Sequence, residues 1–233
     1  MAVTDLFRRM WIRLAGTLVA ACVATRLAAC ELALVLAVDV SGSVDPREFE
    51  IQMRGIGEAL RDGLVSEALV RAEAAVAVVQ WTGASRQARS LDWHRTRTFE
   101  EVEALALAVD DVSRRWRNFS TAIGEALKFS AAAFADAPPC LRRVIDVSGD
   151  GISNEGDEPR STHAALAAAG IVVNGLAIEG DDADLTGYYF ENVIRGEGAF
   201  VMTAAGFEDY PRAIRAKLLR EVTKQIAGID QNP

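Results

Sequence analysis

The sequence has only two histidines, His94 and His163, far apart in the chain and without ligand spacing. It therefore offers no histidine-based metal site, and both residues are assigned to structure. It also lacks an excess of positive charge. Against 33 Asp and Glu stand 25 Lys and Arg, a net charge of −8, the wrong sign for a general nucleic-acid or anionic-membrane surface. No uncharged run is long enough to span a bilayer, which takes about 17–25 residues; the stretch from Leu14 to Thr25 ends at Arg26. Repeats and low-complexity tracts are absent too, and a composition half apolar and a quarter charged is that of a folded chain. At 233 residues it corresponds to one domain, or one domain with an appendage. Its core can be large enough that neither metal nor disulfide is needed simply to reach stability.

The first 29 residues read as the appendage. Arg8, Arg9 and Arg13 precede the short apolar run, and small residues follow it, the pattern of a secretory signal peptide. Cleavage after Ala24 or after Ala29 fits; Leu27-Ala28-Ala29-Cys30 also resembles a bacterial lipobox, with Cys30 as a lipid-bearing alternative. Removing residues 1–29, with four Arg and one Asp, takes the net charge from −8 to −11. The expectation is an exported, acidic single domain over residues 30–233, periplasmic or secreted. Cys22 leaves with the leader, and in an oxidising compartment the two remaining cysteines tend to pair.

Strands and helices alternate through the remainder. Leu32–Val38 is apolar without alternation, the mark of a strand buried on both faces. Asp45-Pro46 opens a helix through Leu60. Further strands are expected at Ala74–Trp81, Ser85–Leu91 (a short edge strand), Arg143–Ser148, Ile171–Ile178 and Ala199–Thr203. Further helices are expected at Phe99–Val112, Thr121–Phe134, Pro159–Ala169, Leu185–Ile194 and Phe207–Ile226. Such alternation gives an α/β fold with a mostly parallel sheet between two helical layers.

In open α/β sheets ligands bind beyond the carboxyl ends of the strands. The first strand ends in Asp39-Val40-Ser41-Gly42-Ser43, whose alternation lets Asp39, Ser41 and Ser43 offer three oxygens to one point. Carboxylates, hydroxyls and waters are the ligands of a hard cation such as Mg²⁺. By itself the D-x-S-x-S pattern is weak, since Ser and Asp cap helices and turns everywhere. Two further segments strengthen it: Ser120-Thr121-Ala122-Ile123-Gly124, with the Thr121 hydroxyl at a helix start, and Ser148-Gly149-Asp150-Gly151, with a second carboxylate.

Together these segments resemble the von Willebrand factor type A (VWA) domain and its metal-ion-dependent adhesion site (MIDAS), over residues 31–227 in element order. The phrases Val38-Asp39-Val40-Ser41-Gly42-Ser43-Val44 and Val147-Ser148-Gly149-Asp150-Gly151 also fit an exported bacterial subfamily catalogued as a domain of unknown function. The resemblance implies a Rossmann-like three-layer α-β-α fold, with a six-stranded sheet in the order 3-2-1-4-5-6 and strand 3 antiparallel at the edge. It implies one Mg²⁺ or Mn²⁺ held by Asp39, Ser41, Ser43, Thr121 and Asp150, and a coordination position completed by a Glu or Asp of a protein partner. With hydroxyls outnumbering carboxylates, the ion would stay electrophilic towards that outside anion. Such a site grips rather than catalyses.

The first loop also resembles the nucleophile loop of haloacid-dehalogenase-type phosphatases, with Asp39 as nucleophile, Thr82 ending a strand as their second motif requires, and Gly149–Asn154 as a metal loop. Those enzymes need a second Asp as general acid, worth about 10²–10⁴-fold in rate; here that position is Ser41, and Lys128 sits in a helix between Leu127 and Phe129. If strands 1 and 4 are parallel neighbours, Cys30 and Cys140 lie at similar depth, about 30 Å from the metal end at 3.3 Å per residue, and a disulfide between them is geometrically reasonable; free thiols or a lipidated Cys30 are the alternatives. Arg114, Arg115, Trp116 and Arg117 precede Thr121 and should rim the site. There Arg115 and Arg117 would clamp an incoming carboxylate, or form a solvated loop around a packed Trp. Glu155, Asp157, Glu158, Glu179, Asp181, Asp182 and Asp184 put acid on the same rim, as solvated loop charge, a second ion site or a contact for basic partner groups. Asp146, inside an apolar strand, is expected to reach the cysteine-side loop or a neighbouring backbone.

Overall fold

The computed structural model describes residues 30–180 and 184–223. The leader, Cys22, Asp181, Asp182 and the expected end of the last helix at Ile226 lie outside them. The strands are β1 (Cys30–Asp39), β2 (Ala75–Trp81), β3 (Gln87–Arg95), β4 (Cys140–Gly149), β5 (Ile171–Ile178) and β6 (Val201–Ala204). The helices are α1 (Pro46–Arg61), α2 (Gly63–Arg71), α3 (Phe99–Asp110), α4 (Ile123–Ala132), α5 (His163–Ala168), α6 (Leu185–Tyr188) and α7 (Tyr210–Thr223). The sheet order is β3-β2-β1-β4-β5-β6, parallel except for the antiparallel edge strand β3. Both the order and the position of the antiparallel strand are those the VWA resemblance implied.

The unalternating apolar run of β1 is explained by two cores. Leu32, Leu34, Leu36 and Val38 face a cluster built with α1, α2, α3 and α7. Ala33, Val35 and Ala37 face a second cluster built with α4, α5 and residues 185–193. Helix α1 starts where Asp45 accepts from the Glu48 amide while the Glu48 side chain accepts from the Asp45 amide, with Pro46 next to the cap, a reciprocal capping box. Helix α2 was not foreseen. Asp62, closing α1, immediately caps α2 by accepting from the Leu64 and Val65 amides, so an Asp-Gly pair that reads as a turn joins two helices instead. Elsewhere the boundaries move. β3 runs four residues further than expected, and the Thr121 helix begins only at Ile123 and ends in a 3₁₀ turn, Ala133–Asp136. The expected Pro159–Ala169 helix is a 3₁₀ turn followed by α5, and Leu185–Ile194 is α6 followed by a π-helical turn, Tyr189–Val193.

Cys30 and Cys140 are register partners on β1 and β4 and form a disulfide, with Cα atoms 4.5 Å apart. It staples the sheet at the end opposite the strand carboxyl termini, and Cys30 so bonded has no thiol free for a lipid. Asp146 corrects its expected role. It reaches neither the cysteine-side loop nor a neighbouring backbone; it pairs with the fully buried Lys217 of α7 at 2.6 Å, which also pairs with Glu221 at 2.6 Å. Glu221 accepts in turn from Asn174 of β5 at 3.1 Å. Burial, and then the neighbouring Glu221, push the Asp146 carboxyl up to about 7 while Lys217 opposes the shift. This cluster ties the last helix to the middle of the sheet. Among the described residues, no helix is long and apolar enough to cross a membrane.

Candidate metal centre

Three loops meet beyond the carboxyl ends of β1 and β4. The first turns sharply after Asp39. Asp39 Oδ1 accepts from the Ser41 amide at 2.7 Å, and the Val44 amide donates to the Ser41 carbonyl at 3.2 Å. The turn brings the Ser41 and Ser43 hydroxyls to 3.2 Å of each other, and Ser43 donates to Asp150 Oδ1 at 2.8 Å. The Ser41 and Ser43 hydroxyls and Asp150 thus form a line of oxygens bridging two loops, and Asp39 joins it through the Ser41 amide.

The loop is braced from behind. Gln52 of α1 donates to the Asp39 carbonyl at 3.2 Å. Arg114 donates to the carbonyls of Val40 and Ser41 at 3.1 and 2.9 Å, so it is a strut under the first loop rather than a rim group. The Gly42 amide donates to the Phe119 carbonyl at 2.8 Å, joining the first loop to the second.

Thr121, 6 % exposed, is tied to the third loop through its backbone. Its amide donates to Asn154 Oδ1 at 2.9 Å, and its carbonyl accepts from the amides of Asn154 and Glu155 at 2.8 and 3.2 Å. Ser153 Oγ accepts from the Ile123 amide at 3.2 Å, capping the start of α4 from a distant segment. Gly124 belongs to this junction, because a side chain there would begin 2.1 Å from the Asp157 carbonyl oxygen. Sequence reading found Thr121, placed Ser153 and Asn154 only in the phosphatase-like loop Gly149–Asn154, and did not find Gln52. Their polar types were visible, yet their partners lie across the fold.

The expected rim divides. Arg115 and Arg117 are exposed, and the Arg115 amide donates to Gln80 Oε1 at 2.9 Å. Trp116 packs partly buried against the core. Glu155 accepts from the Ala84 amide at 3.1 Å, and Lys128 pairs with Asp157 and Glu125, so these acids hold loops together and Lys128 is a surface ion-pair partner. Glu179 accepts from Thr186, and Asp184 caps α6 by accepting from the Gly187 amide. His94 Nδ1 lies 2.8 Å from the Asp92 carbonyl.

Asp39 is fully buried, and its Oδ2 has no hydrogen-bond partner among the described residues. Burial, reinforced by the Asp150 charge, pushes its carboxyl up to about 8, against the pull of the Ser41 bonds and Arg114. A buried carboxylate costs free energy unless a counter-charge meets it, and a divalent cation among these oxygens would supply one. Among the described residues, no three His, Cys, Asp or Glu side chains collect for an ion. The donor set is two carboxylates with hydroxyls, which suits a hard cation rather than zinc-type nitrogen and sulfur ligation.

A family profile described as "Protein of unknown function (DUF1194)" matches residues 29–226. Among curated proteins, none matches the chain by sequence. Several solved structures share the fold. Proximal thread matrix protein 1 from the mussel byssus superposes with a TM-score of 0.60 at 16 % identity, covering 84 % of this chain and 47 % of that one. The same protein is also known with a zinc-occupied MIDAS motif. A von Willebrand factor type A protein from Catenulispora acidiphila gives 0.56 at 17 % identity, covering 82 % and 43 %. The pilus adhesin SpaC from Lactobacillus rhamnosus GG, in its open conformation, gives 0.59 at 14 %, covering 84 % and 30 %. The present chain spans less than half the length of each of these, and at such identities the likeness is one of fold.

Proposed function

The chain belongs to the DUF1194 family of proteins of unknown function and has the VWA fold, and from that premise we propose that it is an exported binding module that grips a protein partner through one divalent cation. Asp39, Ser41, Ser43, Thr121 and Asp150 would hold Mg²⁺ or Mn²⁺, and an acidic side chain of the partner would complete its coordination. The observation that carries this reading is the oxygen line from Ser41 through Ser43 to Asp150, anchored by the Ser41 amide to Asp39, a buried carboxylate with one oxygen unpartnered among the described residues. The bound ion would supply positive charge that the loop itself lacks. Exposed Arg115 and Arg117 would add attraction for the same anion. Export through a leader at residues 1–29 is supported by the Cys30–Cys140 disulfide, a bond that persists in oxidising compartments.

A metal-dependent phosphatase finds less support. The position of its general acid is Ser41, fully buried and held between the Asp39 and Ser43 side chains, and Lys128 is engaged at the surface with Glu125 and Asp157.

Affinity capture of extracytoplasmic protein by the immobilised chain tests the binding role, run with Mg²⁺, with chelator and with Thr121→Ala. Proteins retained only by the wild type in Mg²⁺ are expected. Identical retention under all three conditions would contradict cation-dependent binding.

A further inference from the structure

We propose that Tyr189 is a positioning residue for the candidate cation site, its hydroxyl, which makes no hydrogen bond to Asp39 here, poised to donate to Asp39 Oδ2 once that carboxylate is ionised. The inference rests on the cation reading above and extends it to a residue outside the three loops.

Tyr189 is fully buried, and its hydroxyl has no hydrogen-bond partner among the described residues. Buried phenol groups usually find one. Asp39 Oδ2 is in the same condition, and the two orphans converge on one place. A side chain at Gly149 would begin 2.7 Å from the Tyr189 hydroxyl and 2.8 Å from Asp39 Oδ2. Both oxygens thus border the space that the glycine at the end of β4 leaves open, without bonding each other. A second glycine accommodates the ring: at Gly175 of β5 a side chain would begin 2.8 Å from Tyr189 Cδ1. Two neighbouring strands therefore each omit a side chain where this tyrosine packs.

The backbone is adapted as well. Tyr189 opens the π-helical turn that follows α6, a rare geometry that recurs at functional sites. The protonation states are complementary. A phenol, with an ordinary pKa of about 10, is a donor at neutral pH. Asp39, once ionised, only accepts. A donor on the outer oxygen of a ligand carboxylate fixes its orientation, and losing such a partner typically costs about 10–100-fold in metal affinity.

The test is calorimetric titration of the full chain and of Tyr189→Phe with Mg²⁺ alone, beside melting curves in chelator. The ring stays and only an unpartnered hydroxyl is removed. The Mg²⁺ Kd is expected to weaken by about 10–100-fold, with the melting temperature in chelator unchanged or raised. A lower melting temperature in chelator with an unchanged Kd would make Tyr189 merely structural and overturn the inference. The two readings fail separately: wild-type protein that binds neither Mg²⁺ nor Mn²⁺ removes the cation site and this role with it, whereas equal binding by wild type and Tyr189→Phe removes only the role of Tyr189.

Discussion

Replacing Asp39 with asparagine separates the charge of the candidate site from its shape. The Asp39 carboxyl is buried, bonded at one oxygen by the Ser41 amide and pushed up to about 8, against about 3.9 in an unfolded chain. Between those values the ion-free folded protein keeps a proton that the unfolded chain has released. Its stability therefore falls as pH rises from about 4 to 8, by at most ~1.4 kcal/mol per pH unit from this group. The Asp39→Asn amide does not titrate, so that component disappears, and the stability difference between variant and wild type in chelator should grow towards alkaline pH. Added Mg²⁺ reverses the comparison. At a hundredfold excess over Kd it stabilises the wild type by ~2.7 kcal/mol, about 5–10 °C for a chain of this size, and leaves the variant unmoved. Because the ion needs the ionised carboxylate, the wild-type shift should be larger at pH 8 than at pH 5. Melting curves across that range, with Mg²⁺ and with chelator, read all of these effects. Parallel pH profiles for the two proteins in chelator, or a Mg²⁺ shift that survives in Asp39→Asn, would refute the reasoning.

Lys217→Met should cost about 3–5 kcal/mol, because it leaves Asp146 and Glu221 buried without their cation. Chemical denaturation should show the loss shrinking in acid, since Asp146 is already held up to about 7 and protonation removes its buried charge. Cys140→Ser opens a cross-link spanning 110 residues and should lower unfolding stability by about 4–5 kcal/mol on the chain-entropy account; the same reductant should destabilise the wild type and leave the variant unchanged.

The layers were legible because they rest on local patterns, whereas the strand order came from the VWA resemblance. The unalternating run of β1, the Asp45-Pro46 helix start and the glycine after α5 each declare an element without reference to the rest of the fold. The D-x-S-x-S loop and Asp150 could be placed at the strand ends for a related reason: they sit at fixed offsets from strands that can themselves be recognised, and their proposed role as ligands comes from the VWA resemblance. What escaped depends on tertiary contact. Asp146 looked anomalous because its partners, Lys217 and Glu221, lie about seventy residues away on the last helix. Arg114 was placed on the rim because its carbonyl partners at Val40 and Ser41 are set by how two loops stack. Helix α2 was missed because Asp62 and Gly63 carry turn chemistry, and only the capping bonds of Asp62 reveal a helix start. Tyr189 carried no sequence signal at all. Its meaning comes from Gly149 and Gly175 on two strands that become neighbours only in the folded sheet.

The central claim, that Asp39, Ser41, Ser43, Thr121 and Asp150 hold one divalent cation, is tested most directly by titrating the purified, chelator-stripped protein with Mg²⁺ and Mn²⁺ in a calorimeter. The predicted result is saturable binding of one ion per chain, abolished in Asp39→Ala. No binding of either ion at millimolar concentration, or binding that Asp39→Ala leaves intact, would contradict it.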